Sequence, residues 1–372
     1  MRKMLRKFSV ENYKNFHTKI EIDFTNKRDY SFCSRCVKNG LISKVVIMGH
    51  NASGKTNFGY ALFDIVYTLT DNLYNPLQKD YGSFINGDSE EDCAKFSYEF
   101  QNGMDIIRYE YHKKTPDHIV YEALTVNENE VFVFDYSKNI SSVKGLRGVN
   151  ADTLNLEDLD GSLPALRFII NNTVQSKASP ISFLKDFVGH MLYFRYVNGG
   201  PNFIGLHKSG TLLEPFIVEN GLLEDFQRFL NDCGVPVDLE AVKDSLQTQI
   251  VQKFDKKKLL FQPLMSSGTS VLESYYFWSK QFQDVSFLYI DEFDAFYHFD
   301  LARKIMQKTI DEVDAQTVFT THNTYLVSNN LMRPDCYLQI KDGKIVSFAD
   351  STERELREAH NLEKMLRSKE FE

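Results

Sequence analysis

At 372 residues the chain has room for one large α/β domain carrying an insertion, or for two ordinary domains, and either way it can bury a sizeable core. With 42% apolar and 25% charged residues and abundant Phe and Tyr, the composition argues against global disorder. A net charge of −8 argues against coating nucleic acid through overall electrostatics, so any DNA contact has to be regional.

No apolar run approaches the length a membrane-spanning helix needs, and the basic start MRKMLRKFSVENYKNF has no signal-like apolar stretch behind it. A cytoplasmic, non-membrane protein is expected. Of five cysteines, Cys33 and Cys36 form a lone CxxC with no second ligand pair nearby, which reads as ordinary thiols on a loop.

In chain order, Phe8 and Val10, then Ile20, Ile22 and Phe24, alternate as strands with one buried face do. Val45, Val46, Ile47 and Met48 read as a strand buried on both faces, of the kind found in parallel sheets. After Thr56, Phe58, Ala61, Leu62, Ile65 and Val66 return at helical spacing. Residues 94–126 alternate again, with Phe96, Tyr98, Phe100, Ile107, Tyr109 and Tyr111 on one face of a β-meander.

From 139 to 258 the pattern is mainly helical. Phe183, Leu184, Phe187, Val188, Met191 and Leu192 share one stripe, and Leu222, Leu223, Phe226, Phe229 and Leu230 another, stopped by Gly234. Core-like runs resume at Phe287–Ile290 and Thr317–Thr320, Asp342-Gly343 reads as a hairpin turn, and the charged C-terminal stretch reads as a surface helix. The expected organisation is therefore α/β in three parts. Residues 1–138 hold the first part of the core and the meander, 139–258 a helical insertion, and 259–372 the rest of the core.

Between the buried strand and its helix lies GHNASGKT, Gly49 to Thr56, which fits GxxxxGK[ST]. Its glycines let backbone N–H groups wrap phosphates, Lys55 neutralises β/γ charge, and Thr56 offers a hydroxyl to Mg²⁺. Gly49, Asn51, Ala52, Ser53, Gly54, Lys55, Thr56 and the adjoining Asn57 are thus the expected ATP-binding set. The run Phe287–Ile290 ends in Asp291 and Glu292. Asp291 is the candidate second anchor for Mg²⁺, and Glu292 the candidate base that orients the attacking water. His322, after the run ending at Thr321, is a candidate sensor of the terminal phosphate. Ser266, Ser267 and Gly268 stand before a helix, where they can cap it and present donors to an anion.

This ordered set resembles the ABC-type ATPases of the RecF, SMC and OLD group. FSVENYKNF, KNGLISKVVIMGHNASGKTNF and DEFDAFYHFD are similar to its OLD-like prokaryotic branch, whose members serve as ATPase subunits in antiphage systems. The resemblance covers most of residues 7–75 and 262–365. It implies a P-loop fold of ABC type and a head-to-tail homodimer or higher assembly enclosing ATP. It also implies that Ser266 and Gly268 touch the terminal phosphate held by the opposite subunit, and that Asp294 lies in a loop crossing the interface. Ser267 stands where that group commonly has glycine.

About 50 residues follow His322, fewer than an OLD-type nuclease domain needs, so a separate nuclease or toxin is the expected effector. The leading expectation is an ATP-hydrolysing switch read by that partner in antiphage defence. A RecF-like clamp on DNA is the alternative, for which Lys253, Lys256, Lys257 and Lys258 are the dense basic run. A transporter subunit would share all four motifs but is generally shorter, and a small-molecule kinase would not explain SSGT or His322.

Overall fold

The computed structural model describes residues 3–71, 81–145, 149, 154–156, 159–197, 200–206, 213–243 and 248–371. The first alternating runs form β1 (Lys3–Glu11) and β2 (Ile20–Asp23), and a small ribbon, β3 (Val37–Lys38) and β4 (Leu41–Ile42), leads into β5 (Lys44–Met48). Every residue of β5 is buried, as a strand covered on both faces requires. Even Lys44 is sealed, its ammonium donating to the Val313 and Ala315 carbonyls at 2.6 and 2.7 Å and to Thr317 at 2.9 Å.

Helix α1 (Lys55–Leu69) follows. Its apolar spacing suggests a single buried stripe, yet Phe58, Ala61, Leu62, Phe63, Asp64, Ile65 and Val66 are all buried. Two sheets clasp it. From one side the Tyr98 hydroxyl donates to the Ala61 carbonyl at 3.0 Å, and from the other Tyr289 donates to the Lys55 carbonyl at 3.0 Å. A Cβ on Gly59 would stand 2.8 Å from the Tyr289 ring, so the close approach of helix and sheet depends on that glycine.

The first sheet is the meander, β6 (Ala94–Asn102), β7 (Asp105–Thr115), β8 (His118–Val126), β9 (Asn129–Asp135) and β10 (Ile140–Val143), joined by the N-terminal strands in the order β10-β9-β8-β7-β6-β1-β2. All its pairings are antiparallel, with Phe8 opposite Tyr98, and the six aromatic and aliphatic side chains expected on one face are fully buried.

The described residues of 139–258 contribute the helices α2 (Ala165–Asn172), α3 (Pro180–Gly189), α4 (Leu213–Glu219) and α5 (Leu223–Asp232). The same stretch contains β11 (Met191–Val197), β12 (Gly200–Gly205), β13 (Leu239–Lys243) and β14 (Thr248–Lys253). Met191 and Leu192, whose spacing continues the α3 stripe, belong instead to β11. The helix stops at Gly189, and the His190 carbonyl accepts from the Ser286 amide at 2.9 Å, which commits the next residues to pairing with a strand almost a hundred positions away.

The remainder supplies β15 (Lys258–Leu260), α6 (Ser267–Ser279), β16 (Phe287–Asp291), α7 (Phe299–Glu312), β17 (Gln316–Thr321), β18 (Tyr337–Lys341), β19 (Lys344–Ser347) and α8 (Leu362–Arg367). The core sheet runs β12-β11-β16-β17-β5-β18-β19, its five inner strands parallel and its two outer strands antiparallel. Asp342 and Gly343 turn the last hairpin with φ of 49° and 72°, the left-handed pair that a two-residue loop needs. Among the described residues of the charged C-terminal stretch, only α8 is helical. It is held down by buried Leu362 and Met365, and Phe371 stacks on Phe348 with ring centroids 4.3 Å apart. The result is an α/β fold in which the five parallel strands end on one edge of the sheet, where such folds bind ligands.

Candidate functional site

The loop after β5 reaches that edge first. Ala52 and Gly54 have φ of 63° and 96°, so the chain coils back on itself before α1, and the Phe58 amide finds the Gly54 carbonyl at 2.8 Å. At Gly54 a Cβ would stand 2.4 Å from the Asn15 side chain and 2.8 Å from Phe16, so both the backbone angle and the space call for glycine. Asn15 in turn accepts from Asn57 at 2.7 Å, tying the N-terminal NYKNF segment to the start of the helix. Asn51 and Ala52 are exposed, while the Ser53 hydroxyl is buried without a hydrogen-bond partner. A cavity of about 1090 Å³ opens over the loop, lined in part by Gly49, His50, Asn51, Ser53 and His322.

Lys55 lies across the loop, its ammonium 2.9 Å from the Gly49 carbonyl, 3.1 Å from that of His50 and 3.4 Å from His322 Nδ1. Burial lowers its pKa, with Asp291 and Glu292 opposing. His322 is also lowered, by burial first and by Lys55 second, so it faces the lysine as a neutral ring.

Strand β16 delivers the two carboxylates. Asp291 is 1% exposed and fully engaged: Thr56 Oγ1 and the Tyr193 hydroxyl donate to Oδ2 at 2.8 and 3.0 Å, and Thr320 donates to Oδ1 at 2.5 Å. The same Thr320 hydroxyl accepts from the Glu292 amide at 2.8 Å. That bond holds Glu292 at φ 49°, a left-handed conformation rare for a residue with a side chain and common where a chain aims a functional group. Asp294 accepts from Thr321 at 2.7 Å, so the loop after Glu292 is laced to the end of β17, just before His322. Burial raises the pKa of Asp294.

Ser266 caps α6, its hydroxyl accepting from the Thr269 amide at 3.2 Å. Gly268 lies against the Phe296 carbonyl, which a Cβ would meet at 3.1 Å. Among the described residues, the hydrogen bonds of Ser266 run only to Thr269 and Ser270, within its own helix start. The fold thus gathers Lys55, Thr56, Asp291, Glu292 and His322 at one edge, while Ser266–Gly268 form their own cap.

Motif reading does not find Arg195, on β11 in parallel register with Asp291. Its Nη2 donates to Glu292 Oε2 at 2.7 Å, and its Nε lies 3.4 Å from Asp291 Oδ2. Burial works against its charge, but the Glu292 hydrogen bond and the charges of both carboxylates more than offset this and raise its pKa. Tyr193, two residues earlier, is missed for the same reason. The available signal is the arginine breaking the apolar run MLYFRYV.

The oxygen donors of Thr56 and Asp291, converging within hydrogen-bond distance, suit a hard divalent cation such as Mg²⁺. The coiled loop, the buried lysine and the unpartnered Ser53 hydroxyl suit a polyphosphate. A strand, phosphate-loop and helix unit set in parallel strands that end in an acidic pair is the construction of a P-loop domain. The chain belongs to the family described as "AAA domain, putative AbiEii toxin, Type IV TA system", which it matches over residues 44–328. No curated protein matches it.

Similar solved structures include the Smc head bound to the C-winged helix domain of ScpA, at 14% identity and TM-score 0.47, covering 92% of this chain and 97% of that one. The SMC head domain from Thermotoga maritima is similar at 15% and 0.42, covering 93% and 98%. The Smc head domain with an extended coiled coil, bound to the C-terminal domain of ScpA derived from Pyrococcus furiosus, is similar at 15% and 0.49, covering 99% of each chain. Among the described residues no helix is long and apolar enough to cross a membrane.

Proposed function

We propose that this protein is an ATP-hydrolysing switch that works as a head-to-tail homodimer, or an assembly of such dimers, in the cytoplasm. The observation that carries the reading is the 2.8 Å contact between Thr56 of the phosphate loop and Asp291 of the acidic strand, with Glu292 held beside them. Gly49, Asn51, Ala52, Ser53, Gly54 and Asn57 surround the phosphates, and Lys55 balances their charge. Thr56 and Asp291 would hold Mg²⁺, which would neutralise charge on the phosphates. Glu292 orients and deprotonates the attacking water, and His322, neutral and next to Lys55, registers the terminal phosphate. Ser266, Ser267 and Gly268 cap a helix whose N-terminal donors serve the nucleotide of the second chain.

The family description, which names a putative toxin of a type IV toxin–antitoxin system, supports a role in defence; in this reading a separate effector, a nuclease or a toxin, responds to the closed state. The DNA-clamp alternative draws less support. Lys253 and Lys258 of the basic run pair with Asp238 and Glu240 at 2.8 and 2.7 Å, which leaves less charge for phosphates.

The test is the mass in solution of wild type and Glu292→Gln, with and without Mg–ATP. The variant is expected to bind ATP, to lose hydrolysis by roughly 10²- to 10⁴-fold, and to accumulate as an ATP-dependent dimer or multiple of dimers. A variant that stays monomeric with ATP bound would defeat the roles given to Ser266 and Gly268 across subunits.

A further inference from the structure

We propose that Arg195 is a ligand for the terminal phosphate of the nucleotide, supplied by the same chain and parked on Glu292, so that the site selects triphosphate over diphosphate. The inference rests on the nucleotide-site reading above and adds a residue that none of its motifs contains.

Position comes first. Strand β11 lies beside β16 in parallel register, so Arg195 emerges at the level of Asp291, on the edge where the phosphate loop, Glu292 and His322 also end. Contacts come second. The guanidinium places one donor on Glu292 at 2.7 Å, while Nε, 3.4 Å from Asp291, is buried with no hydrogen-bond partner among the described residues. A guanidinium carries five donors in a planar fork, and a desolvated donor without an acceptor is costly unless an oxyanion meets it.

Asp291 does not need Arg195 to satisfy its oxygens, since Thr56, Tyr193 and Thr320 already donate to them. The ion pair with Glu292 therefore balances charge at the acidic pair. A divalent cation held by Thr56 and Asp291 would supply the same balance and leave the guanidinium surplus there. A phosphate anchored by Lys55, whose loop ends on the same sheet edge as Arg195, would then offer a new acceptor. Transfer of the fork from Glu292 to phosphate would also free the Glu292 carboxylate to hold water.

The test is equilibrium binding of ADP and of the non-hydrolysable triphosphate AMP-PNP, both with Mg²⁺, to wild type, Arg195→Ala and Arg195→Lys. Arg195→Ala is expected to lose AMP-PNP affinity on the order of ten- to a hundredfold while ADP affinity moves less than about twofold. Arg195→Lys, which keeps the charge without the fork, should recover part of the loss. Parallel loss of both nucleotides would reduce Arg195 to a structural ion pair, and unchanged affinity for both would leave it a counter-ion of Glu292, so either result overturns the assignment. If wild type binds neither nucleotide, the nucleotide-site reading falls and the Arg195 role falls with it.

Discussion

Two acid–base clusters flank helix α1, and they use nearly the same parts. On the meander side of the helix, its own Asp64 accepts from Lys113 at 2.6 Å, from the Tyr111 hydroxyl at 2.8 Å and from Thr68 at 3.1 Å. At its N-terminal end, Asp291 accepts from a tyrosine and two threonines, with Arg195 standing by. The difference is access. Both members of the Asp64–Lys113 pair are 3% exposed at the side chain; Asp291 is as deeply buried, but its neighbours Glu292 and Arg195 are 31% and 21% exposed and open onto the ends of the parallel strands. Sealed between sheets, carboxylate, hydroxyls and cation lock the meander to the helix. Set at the sheet edge, the same groups can exchange partners with a ligand.

The largest effect expected from breaking this contrast lies on the sealed side. Lys113→Ala strands a buried carboxylate and should cost about 3–5 kcal/mol of folding stability, measured by urea unfolding. Nucleotide affinity of the fraction that remains folded should hardly move. Arg195→Ala should do the reverse, and a variant pair that loses stability and affinity together would erase the distinction.

Glu273 sharpens the contrast from another direction. It lies on α6 at 4% exposure with one carboxylate oxygen unpartnered, and burial, then the charge of Glu214, raise its pKa to about 7. The folded state therefore holds its proton to higher pH than the unfolded chain does. The stability this gives is complete below about 4.5 and is lost as pH rises through about 7. Thermal unfolding should show wild type weakening between about pH 4.5 and 7, and Glu273→Gln flattening that slope by about 1–3 kcal/mol. An unchanged slope would mean that water or a neighbour satisfies the carboxylate.

The smallest effect belongs to the helix cap. Ser266→Ala removes one acceptor from the start of α6 and should cost about 1 kcal/mol in the same unfolding assay. A much larger loss would show that Ser266 supports more of the fold than its bond to Thr269.

Legibility of the site followed contiguity. GHNASGKT was readable because a phosphate-loop motif is local: its glycines, lysine and hydroxyl must sit side by side in the chain. The Asp291-Glu292 pair and the Asp342-Gly343 turn were readable for the same reason. Two periodic faces, those of the meander and of α5, followed from the spacing of apolar side chains.

What the sequence alone determined, then, was the local chemistry and the alternation of its strands. Tertiary structure decided the partners: Arg195 reaches Glu292 across 97 positions, and Thr320 aims Glu292 across 28. It also decided that Met191 and Leu192 extend as β11 rather than continue α3, since parallel pairing with β16 outweighs a helical stripe that ends in glycine. Strand pairing is a long-range choice settled by which faces can be buried together, and no window of sequence contains both sides of it.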